Sequence, residues 1–517
     1  MLNVVINEIF FGLKKIIYKM MYKKLTLFIS FLSLIFCKHP FLYEINIRPW
    51  LYELSLKYGK SITKLNEIPL EEFDYLAENG VDIIWLMGVW KLGNYGLEFD
   101  KKLNYSEFLP DWTTEDVIGS PYAVTEYTCN PELGTDDDIL NLRAEINRKG
   151  MKLMLDFVPN HSAVDAPQAT SDMDMYIRAP GDKIDEERYT ENGLAYGANK
   201  NHFTWKDVLQ WNYWENKTIE YMKNNIMKIL GLADAIRCDV AYQELNDVFA
   251  ITWPDELSYY NYSKPDKEFW SYAINEAKAI YPKAIFLAEA YDDSYNEMLI
   301  KLGFDYAYNR NILKKLMISV NEFKEYIKDK TGAFWKDKAN FVENHDELRV
   351  VYNMGGNYLR AKAAGTIGAT IGGMIFMNHG QWEGKKNMLD VHLRRGENEP
   401  INKDIHNHYL KLNEIIKDNA FRSNNFYYIE SMSGDKKDDF ISYIREDEKS
   451  HYLVVVNYSD NEGCSNIPIY NIKGYRYCLL YDLLNDEEYI QTIDQVKNKG
   501  LNVCLKAWES HIFKYNY

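Results

Sequence analysis

Short apolar runs alternate with longer amphipathic stretches over most of this sequence, and this alternation restricts the fold more than any other feature of the chain. Eight runs have the length and composition of buried β-strands, at residues 42–48, 82–87, 152–157, 235–240, 285–290, 304–308, 340–343 and 374–377. Helical spacing occurs between them at residues 69–79, 135–149 and 214–230, and Gly150 and Gly231 are predicted to end the last two helices. Apolar strands separated by helices predict a parallel α/β sheet, and eight repeats predict its closure into a (β/α)8 TIM barrel.

Two segments depart from this repeat. Residues 162–210 include Pro167, Pro180, Gly181, Gly193 and Gly197 and are too long for an ordinary connection, so we expect a short, irregular inserted subdomain after the third strand that walls one side of a cleft. From residue 425 the pattern changes to short alternating strands, at 440–444, 452–458, 475–481 and 501–505, which is typical of an antiparallel β-sandwich. The predicted organisation is an N-terminal segment at 1–38, a barrel at 39–424 and a C-terminal β domain at 425–517.

The N-terminal segment resembles an export signal. Lys23 and Lys24 precede an uncharged apolar run that ends at Cys37, and this run is shorter than the roughly 20 residues that cross a bilayer. Phe36 occupies a position where signal cleavage favours a small residue, so lipid modification of Cys37 is one alternative. An interfacial helix, or a start codon assigned too early in a cytoplasmic protein, is another. We predict export, to the periplasm, cell surface or medium, with membrane attachment through this segment as an option.

Charge and cysteine usage exclude several classes of function. The chain of 517 residues has 60 Lys and Arg against 76 Asp and Glu, for a net charge of −16, which disfavours nucleic acid as a partner. Its six cysteines form no CxxC pair, so a zinc site is not indicated. Cys464, Cys478 and Cys504 could supply one disulfide if the protein is exported, and a reduced, buried role is the alternative.

Polar residues collect where four of the predicted strands end. Asp156, Asp239 and Glu289 close three of the strands, and the run Asn344, His345, Asp346 follows a fourth. The carboxyl ends of barrel strands meet at one face, where barrels of this type build their active sites. Carboxylates gathered so closely repel one another, so their presence indicates a function that compensates for that cost.

These segments resemble the α-amylase family of glycoside hydrolases from residue 42 to the C-terminus. The resemblance lies in four segments in the family's order, which begin at Asp156 (DFVPNH), at Arg237 (RCD), at Glu289 and at Asn344 (NHD). Residues 120–134 resemble the family's loop after the second strand, and residues 210–213 resemble its segment before the fourth. The resemblance implies a (β/α)8 barrel that acts on α-glucans.

The resemblance assigns catalytic roles to three carboxyl groups. Asp239 would be the nucleophile, Glu289 the general acid and then base, and Asp346 a third carboxylate that holds sugar hydroxyls. Carboxyl groups about 5 to 5.5 Å apart give retention of configuration, and a wider gap gives inversion. Arg237 and Asp239 are two residues apart on one strand, so both should face the same way and the guanidinium can keep Asp239 ionised.

The resemblance also assigns substrate contacts. His161 and His345 would hydrogen-bond the sugar beside the cleaved bond, Asp156 would organise that wall, and Tyr122 would stack on the sugar ring. Arg237 is counted with these four among the substrate-binding residues. Each also has a structural interpretation, because histidines at strand ends are often satisfied structural residues, aspartates often cap the next helix and tyrosines usually pack.

Calcium is the one metal that the resemblance raises. Asn160 resembles a calcium ligand of many family members, but the sequence departs from the calcium-binding pattern after Asp239, with Tyr242 in place of Lys and Gln243 in place of His. Asn160 as an amide that fixes a loop is the alternative. No cofactor is required for the chemistry itself.

Three functions remain open at this stage. The first is a retaining hydrolase of α-glucosidic bonds, with α-1,4-glucans or malto-oligosaccharides as substrates. The second is a transglycosidase of the same family that passes the sugar to another sugar or to phosphate, including from sucrose. The third is a non-catalytic barrel that binds sugar or a partner protein, which would predict loss of the nucleophile or the acid, yet Asp239, Glu289 and Asp346 are all present.

Overall fold

Eight parallel strands close into a barrel in a computed structural model that describes residues 38–181, 185–474 and 476–516. Their order around the barrel follows the chain. They are β1 (Phe41–Asn46), β2 (Ile83–Met87), β3 (Lys152–Phe157), β4 (Ala235–Cys238), β5 (Ile285–Ala288), β6 (Tyr306–Asn309), β7 (Lys338–Asn340) and β8 (Met374–Asn378). All eight predicted strands are therefore confirmed, with ends that differ by a few residues. The predicted signal segment up to Cys37 lies outside the described residues.

Helices cover the outer face of the barrel. The longer ones are Ile47–Tyr58, Leu70–Glu78, Asp136–Arg148, Asn216–Leu232, Phe269–Ile280, Asp293–Lys301, Asn311–Ile318, Val320–Ile327, Tyr358–Thr370 and Lys403–Ile415. Shorter ones are Asn94–Asp100, Gln168–Ser171, Asn246–Thr252, Pro254–Tyr259, Gly332–Trp335, Val350–Asn353 and Asn419–Arg422. None of the helices in the described part of the chain has the length and hydropathy needed to cross a membrane.

Glycine ends one predicted helix but not the other. Gly150 follows Asp136–Arg148 with a φ of +81°, the left-handed conformation that favours glycine. The prediction that Gly231 ends its helix is wrong, because that helix continues to Leu232. The Gly231 carbonyl accepts a hydrogen bond from Arg143 Nη1 at 3.1 Å, so a contact with the neighbouring helix helps to fix this end.

Side chains that point into the barrel change from apolar to charged toward the carboxyl ends of the strands. Leu42, Met154, Ala235 and Leu287 belong to a buried apolar cluster inside the barrel. Two residues further along the same strands are Glu44, Asp156, Arg237 and Glu289. Because strand side chains alternate in direction, the same parity places these charged groups directly above the apolar layer.

The inserted segment after β3 is more regular than the sequence predicts. Strands His161–Ala163, Tyr196–Ala198 and Thr204–Gln210 form a three-stranded antiparallel sheet within it. An inserted subdomain is confirmed, but the irregular backbone expected from its Pro and Gly content is wrong. A second excursion, after β2, pairs strands Trp90–Leu92 and Val124–Cys129.

The C-terminal antiparallel β domain is also confirmed. Its strands are β9 (Phe426–Tyr428), β10 (Phe440–Glu446), β11 (His451–Asn457), β12 (Gly463–Ile467), β13 (Tyr477–Asp482), β14 (Glu487–Thr492), β15 (Leu501–Leu505) and β16 (Ser510–Tyr515). Six of them form one sheet in the order β9-β10-β11-β16-β13-β14, and β12 pairs with β15. Buried Arg445 joins this domain to the barrel by donating to the carbonyls of Ile371 and Ser423, at 2.9 and 2.7 Å.

Candidate active site

One buried guanidinium joins the carboxyl groups at the ends of three adjacent strands. Arg237 Nη1 lies 2.6 Å from Asp239 Oδ1, and its Nη2 lies 2.5 Å from Glu289 Oε2. Nη1 also lies 3.4 Å from Asp156 Oδ1 at the end of β3. Arg237 and Asp239 therefore face the same way, as their two-residue spacing predicts.

The backbone after Asp239 has a conformation that is unusual for its residue type. Val240 has a φ of +34°, in the left-handed region that β-branched residues rarely adopt. In this conformation its N–H donates to Glu289 Oε2 at 2.8 Å. Local strain of this kind clusters at functional sites, and here it ties the residue after Asp239 directly to Glu289.

Burial sets the protonation of the two carboxyl groups that share the guanidinium. Burial raises the pKa of Glu289, the charge of Arg237 lowers it, and the charges of Asp239 and Asp346 raise it again, to about 7. Burial also raises the pKa of Asp239, against the charge and hydrogen bond of Arg237. Glu289 thus holds a proton below about pH 7 and loses it above that value. Its Oε2 accepts from Arg237 and Val240, so the acidic proton belongs on Oε1, to which the Tyr291 hydroxyl donates at 2.9 Å when Glu289 is ionised.

Asp346 lies at the exposed mouth of the site, close enough for its charge to act on Asp239 and Glu289. Its side chain is 46% exposed, and its Oδ2 lies 3.2 Å from Nε2 of His345. Burial raises the pKa of Asp346, but the charge and hydrogen bond of His345 outweigh burial and lower it to about 2. Asp346 is therefore ionised across the working range, while Glu289 can act as an acid.

Two aromatic residues complete the wall around Arg237. The Trp85 indole donates to Asp156 Oδ2 at 3.0 Å, and the Tyr122 hydroxyl lies 2.7 Å from His345 Nε2. The guanidinium carbon of Arg237 is 5.0 and 5.4 Å from the centres of these two rings. Burial raises the pKa of Asp156 more than Arg237 and Trp85 lower it, so the pKa rises to about 6. Of the residues that sequence analysis assigned to the substrate, Tyr122, Asp156, Arg237 and His345 thus form one cluster.

His161 lies at the edge of this cluster and differs from His345 in charge. It is buried against Trp205, with ring centres 5.9 Å apart, and its Nδ1 lies 3.2 Å from Asn160 Nδ2. Burial lowers the pKa of His161 to about 4, so its ring is neutral. Because the Asn160 amide donates to Nδ1, the ring proton is on Nε2.

The surroundings of Asn160 do not fit calcium. Gln210 Nε2 lies between three oxygens, 3.0 Å from Asn160 Oδ1 and 2.9 and 3.2 Å from the carbonyls of Asn160 and Trp211. Calcium needs six to eight oxygen ligands, whereas these oxygens already accept from an amide. Within the described ranges no group of three or more His, Cys, Asp or Glu side chains could hold a metal ion.

Sequence reasoning missed several side chains that contact these groups. Glu44 on β1 contacts His345, Tyr291 contacts Glu289, and the Tyr308 hydroxyl accepts from Arg237 Nε at 3.2 Å. A carboxylate inside the apolar run LYEINIR was a usable signal, because Glu44 shares the inward parity of Leu42. Tyr291 and Tyr308 had none, since tyrosines are frequent in this chain.

The family model for the α-amylase catalytic domain matches residues 68–453. Alpha-amylase 3 of Dictyoglomus thermophilum is 25% identical over 364 residues, which cover 66% of this chain and 64% of that protein. An α-1,4-glucan:maltose-1-phosphate maltosyltransferase of Picrophilus torridus is 21% identical over 460 residues, covering 85% of this chain and 66% of that protein. The chain thus spans slightly less than two thirds of the length of these relatives.

A solved structure with the same architecture is a maltogenic α-amylase from Thermotoga neapolitana. It matches with a TM-score of 0.68 and 19% identity, over 92% of this chain and 99% of that protein. An α-amylase from Lactobacillus plantarum matches with a TM-score of 0.66 and 18% identity, over 92% and 98% of the two chains. At these identities the likeness establishes the fold alone.

Proposed function

This chain belongs to the α-amylase family of glycoside hydrolases, and we propose that it is a retaining hydrolase of α-glucosidic bonds in α-1,4-glucans or malto-oligosaccharides. The observation that carries the proposal is the pairing of Asp239 and Glu289 on the one guanidinium of Arg237. The ion pair with Arg237 opposes the effect of burial on the pKa of Asp239, which suits a nucleophile. Glu289 has a pKa of about 7, which suits a general acid.

The first step forms a covalent intermediate. Glu289 transfers the proton on Oε1 to the glycosidic oxygen as the bond to the anomeric carbon breaks, and an Asp239 oxygen bonds that carbon. The leaving sugar departs with its oxygen protonated, and Glu289 becomes a carboxylate. Arg237 stays charged throughout and balances whichever carboxyl group carries the negative charge.

The second step releases the sugar. The Glu289 carboxylate accepts a proton from a water molecule, whose oxygen attacks the anomeric carbon and displaces Asp239. Two inversions give net retention, and both carboxyl groups return to their starting states. Asp346, ionised and half-exposed at the mouth, is placed to accept hydrogen bonds from hydroxyls of the distorted ring.

Transfer to another sugar is the second candidate, and one feature favours it. Tyr242 and Tyr295 stack with ring centres 5.1 Å apart, and Lys200 from the inserted subdomain donates to the Tyr295 hydroxyl at 2.9 Å. The charges of Glu289 and Asp239 act on Tyr242, so this aromatic pair lies near the carboxyl groups. Such a platform can hold an acceptor sugar in place of water. A non-catalytic role is opposed by the intact arrangement of Asp239, Glu289 and Asp346.

Product analysis on maltoheptaose tests the proposal. We expect new reducing ends to accumulate with the α-anomer released first, because retention keeps the configuration of the bond that is cleaved. NMR of the anomeric protons during the first minutes measures this. Products longer than maltoheptaose at constant reducing ends would favour the transferase, and initial release of the β-anomer would contradict the two-step mechanism.

We propose that neither folding nor activity depends on calcium, because the Gln210 amide occupies the space between the oxygens around Asn160. We expect EDTA to leave the melting temperature and the rate unchanged. Gln210→Glu should lower the free energy of unfolding by about 3 kcal/mol, since a carboxylate would face three oxygen acceptors. Thermal unfolding with and without EDTA measures the stability of wild type and of Gln210→Glu, and initial rates with and without EDTA measure activity. Gln168→Glu, at a polar position on the inserted subdomain, is the control. A drop of several degrees in wild type with EDTA contradicts this proposal.

We further propose that the protein is exported, as the apolar segment before Cys37 predicts. Support comes from Cys464 and Cys504, which lie opposite each other on β12 and β15 and form a disulfide. Disulfides persist mainly in oxidising compartments. Cys129, Cys238 and Cys478 are buried free thiols.

A further inference from the structure

A carboxylate on β1 is buried in the barrel without serving the reaction directly. Glu44 is fully buried, and its Oε1 lies 2.5 Å from Nδ1 of His345. His345 follows β7, and β8 lies between β7 and β1 in the barrel. Its second oxygen has no hydrogen-bond partner among the described residues. An ionised carboxylate in such a position is costly unless a cation pairs with it, and His345 is the group in contact.

The other nitrogen of His345 also faces acceptors. Nε2 lies 2.7 Å from the Tyr122 hydroxyl and 3.2 Å from Asp346 Oδ2. The Tyr122 hydroxyl donates its own hydrogen to Met87 Sδ at 3.1 Å, so its oxygen is free to accept from Nε2. With a carboxylate at Nδ1 and two acceptors at Nε2, both ring nitrogens are placed to donate.

We propose that Glu44 is a positioning residue that holds His345 as a doubly protonated imidazolium, and that this cation fixes Asp346 in its ionised orientation at the mouth of the site. The role rests on the proposed function, since it assigns Glu44 a place behind the carboxylate that would grip the sugar. It extends the site to β1, a strand to which no catalytic or binding residue has been assigned.

The charges around His345 agree with a cation. Asp346 adjoins it on its own loop, Glu44 faces it from β1, Asp156 acts on it from β3, and the Trp85 ring on β2 lies 5.5 Å away in an edge-on contact. Glu347, Arg349 and His379 line a small cavity beside it. Of the nearby cations, Arg237 is already shared among carboxyl groups at the ends of β3, β4 and β5, and Arg349 pairs with Glu343 at 2.7 Å.

The balance of these effects favours the charged ring. Burial lowers the pKa of His345, but Asp346 and Glu44, through charge and hydrogen bonds, raise it well above its ordinary value. Removing the Glu44 charge takes away one of the two opposing carboxylates. The pKa of His345 must then fall, and the cation is lost at a lower pH than in wild type.

The direct test is the protonation state of His345 in Glu44→Gln, an isosteric variant that keeps a partner at Nδ1. Protein with ¹⁵N-labelled histidine is titrated from pH 5 to 9 by NMR, with the His345 signals assigned from their loss in His345→Asn. We expect wild type to keep two protonated ring nitrogens throughout, and Glu44→Gln to become neutral within this range. A neutral His345 ring in wild type near pH 6, or a cation in the variant up to pH 9, overturns the proposal.

Kinetics on the same variant separate positioning from simple structural support. We expect Glu44→Gln to lower kcat/KM roughly tenfold near the pH optimum, mainly through kcat, because Asp346 would grip the distorted ring less well. The loss should grow toward pH 8 as the variant's imidazole loses its proton. A uniform loss at every pH, with the His345 signals unchanged, would indicate a structural role and overturn the proposal.

Glu53→Gln is the matched control. Glu53 lies on the helix that follows β1, and its carboxylate is 3.7 Å from another histidine, His379. Glu53 contacts none of the groups assigned to the reaction. We expect the His345 signals and kcat/KM of this variant to equal those of wild type, and a change as large as that of Glu44→Gln would overturn the specific role of Glu44.

The outcome stays separate from that of the proposed function, because the NMR titration needs no substrate. If wild type released no sugar from any α-glucan, the proposed function would be wrong. The NMR titration would still decide whether Glu44 holds His345 in its charged form. If Glu44→Gln does not fold, the wild-type titration alone decides, since a ring with an ordinary histidine pKa would overturn the proposal.

Discussion

Asp239→Asn should lose at least about ten-thousand-fold in kcat on an activated α-glucoside, with little change in stability. Removing a covalent nucleophile typically costs rate on this scale, and an amide cannot bond the anomeric carbon and later leave as a carboxylate. The fold should tolerate the change, because Asn keeps the size of Asp239 and an oxygen that can accept from Arg237 Nη1. Initial rates of aglycone release measure the effect.

The matched control for this variant is Asp292→Asn. Asp292 also follows a barrel strand, but its carboxylate accepts from the Ser294 N–H at 2.9 Å and caps the helix Asp293–Lys301. We expect this variant to keep its rate within a few-fold and to lose about 1 kcal/mol in stability, which is typical of a lost cap. Equal, slow release by wild type and Asp239→Asn would show that the site is not catalytic.

Arg237→Met should abolish activity and destabilise the protein by about 3 to 5 kcal/mol near pH 7. The guanidinium is fully buried and contacts Asp156, Asp239 and Glu289, so its removal leaves buried carboxylates without a counter-charge. Arg237 lowers the pKa of all three groups, and without it their pKa values rise. The nucleophile is then protonated at a pH where wild type is active.

The stability loss in Arg237→Met should depend on pH with a definite sign. Between the folded-state pKa values of wild type, about 7 for Glu289 and about 6 for Asp156, and the higher values in the variant, the folded variant binds more protons than folded wild type, so its stability deficit grows as pH rises. The deficit relative to wild type should therefore narrow from pH 7 to pH 5. Urea unfolding at several pH values measures this, and a deficit that widens toward pH 5 would contradict the argument.

Arg422→Met provides the comparison for a buried arginine elsewhere in the barrel. Arg422 is fully buried and pairs with Asp82 at 2.9 Å, at the amino-terminal end of β2. We expect it to lose stability by a similar amount. Its remaining folded enzyme should keep the wild-type pH profile, because Arg422 contacts none of the carboxyl groups at the other end of the barrel.

Much of the candidate site could be predicted from local sequence. Asp156, Asp239 and Glu289 stand at the ends of short apolar runs, and a parallel barrel brings all such ends to one face. The two-residue spacing of Arg237 and Asp239 was enough to place both side chains on the inner face. The positions of Asn160 and His161 were also clear, but their partners, Gln210 and Trp205, belong to the inserted subdomain.

Other parts of the site depended on contacts between distant segments. Glu44 meets a histidine 301 residues further along the chain, and Tyr122 meets the same ring across 223 residues. The regular sheet in the inserted subdomain was missed for a related reason, since its short strands lack an apolar pattern and pair only when the chain returns. The end of the helix at Leu232, rather than before Gly231, likewise follows a contact with Arg143.

The sequence by itself determined the architecture and the positions of the carboxyl groups that we propose as the reacting groups, because strand periodicity, helix spacing and residue type at a strand end are local properties of the chain. Only the tertiary structure decided their charge states. Glu289 and Asp346 are both carboxyl groups, yet burial beside Asp239 raises the pKa of the first to about 7 and the His345 cation lowers that of the second to about 2. Those differences arise from desolvation and from charges that act through space, and neither can be read from neighbours in the sequence.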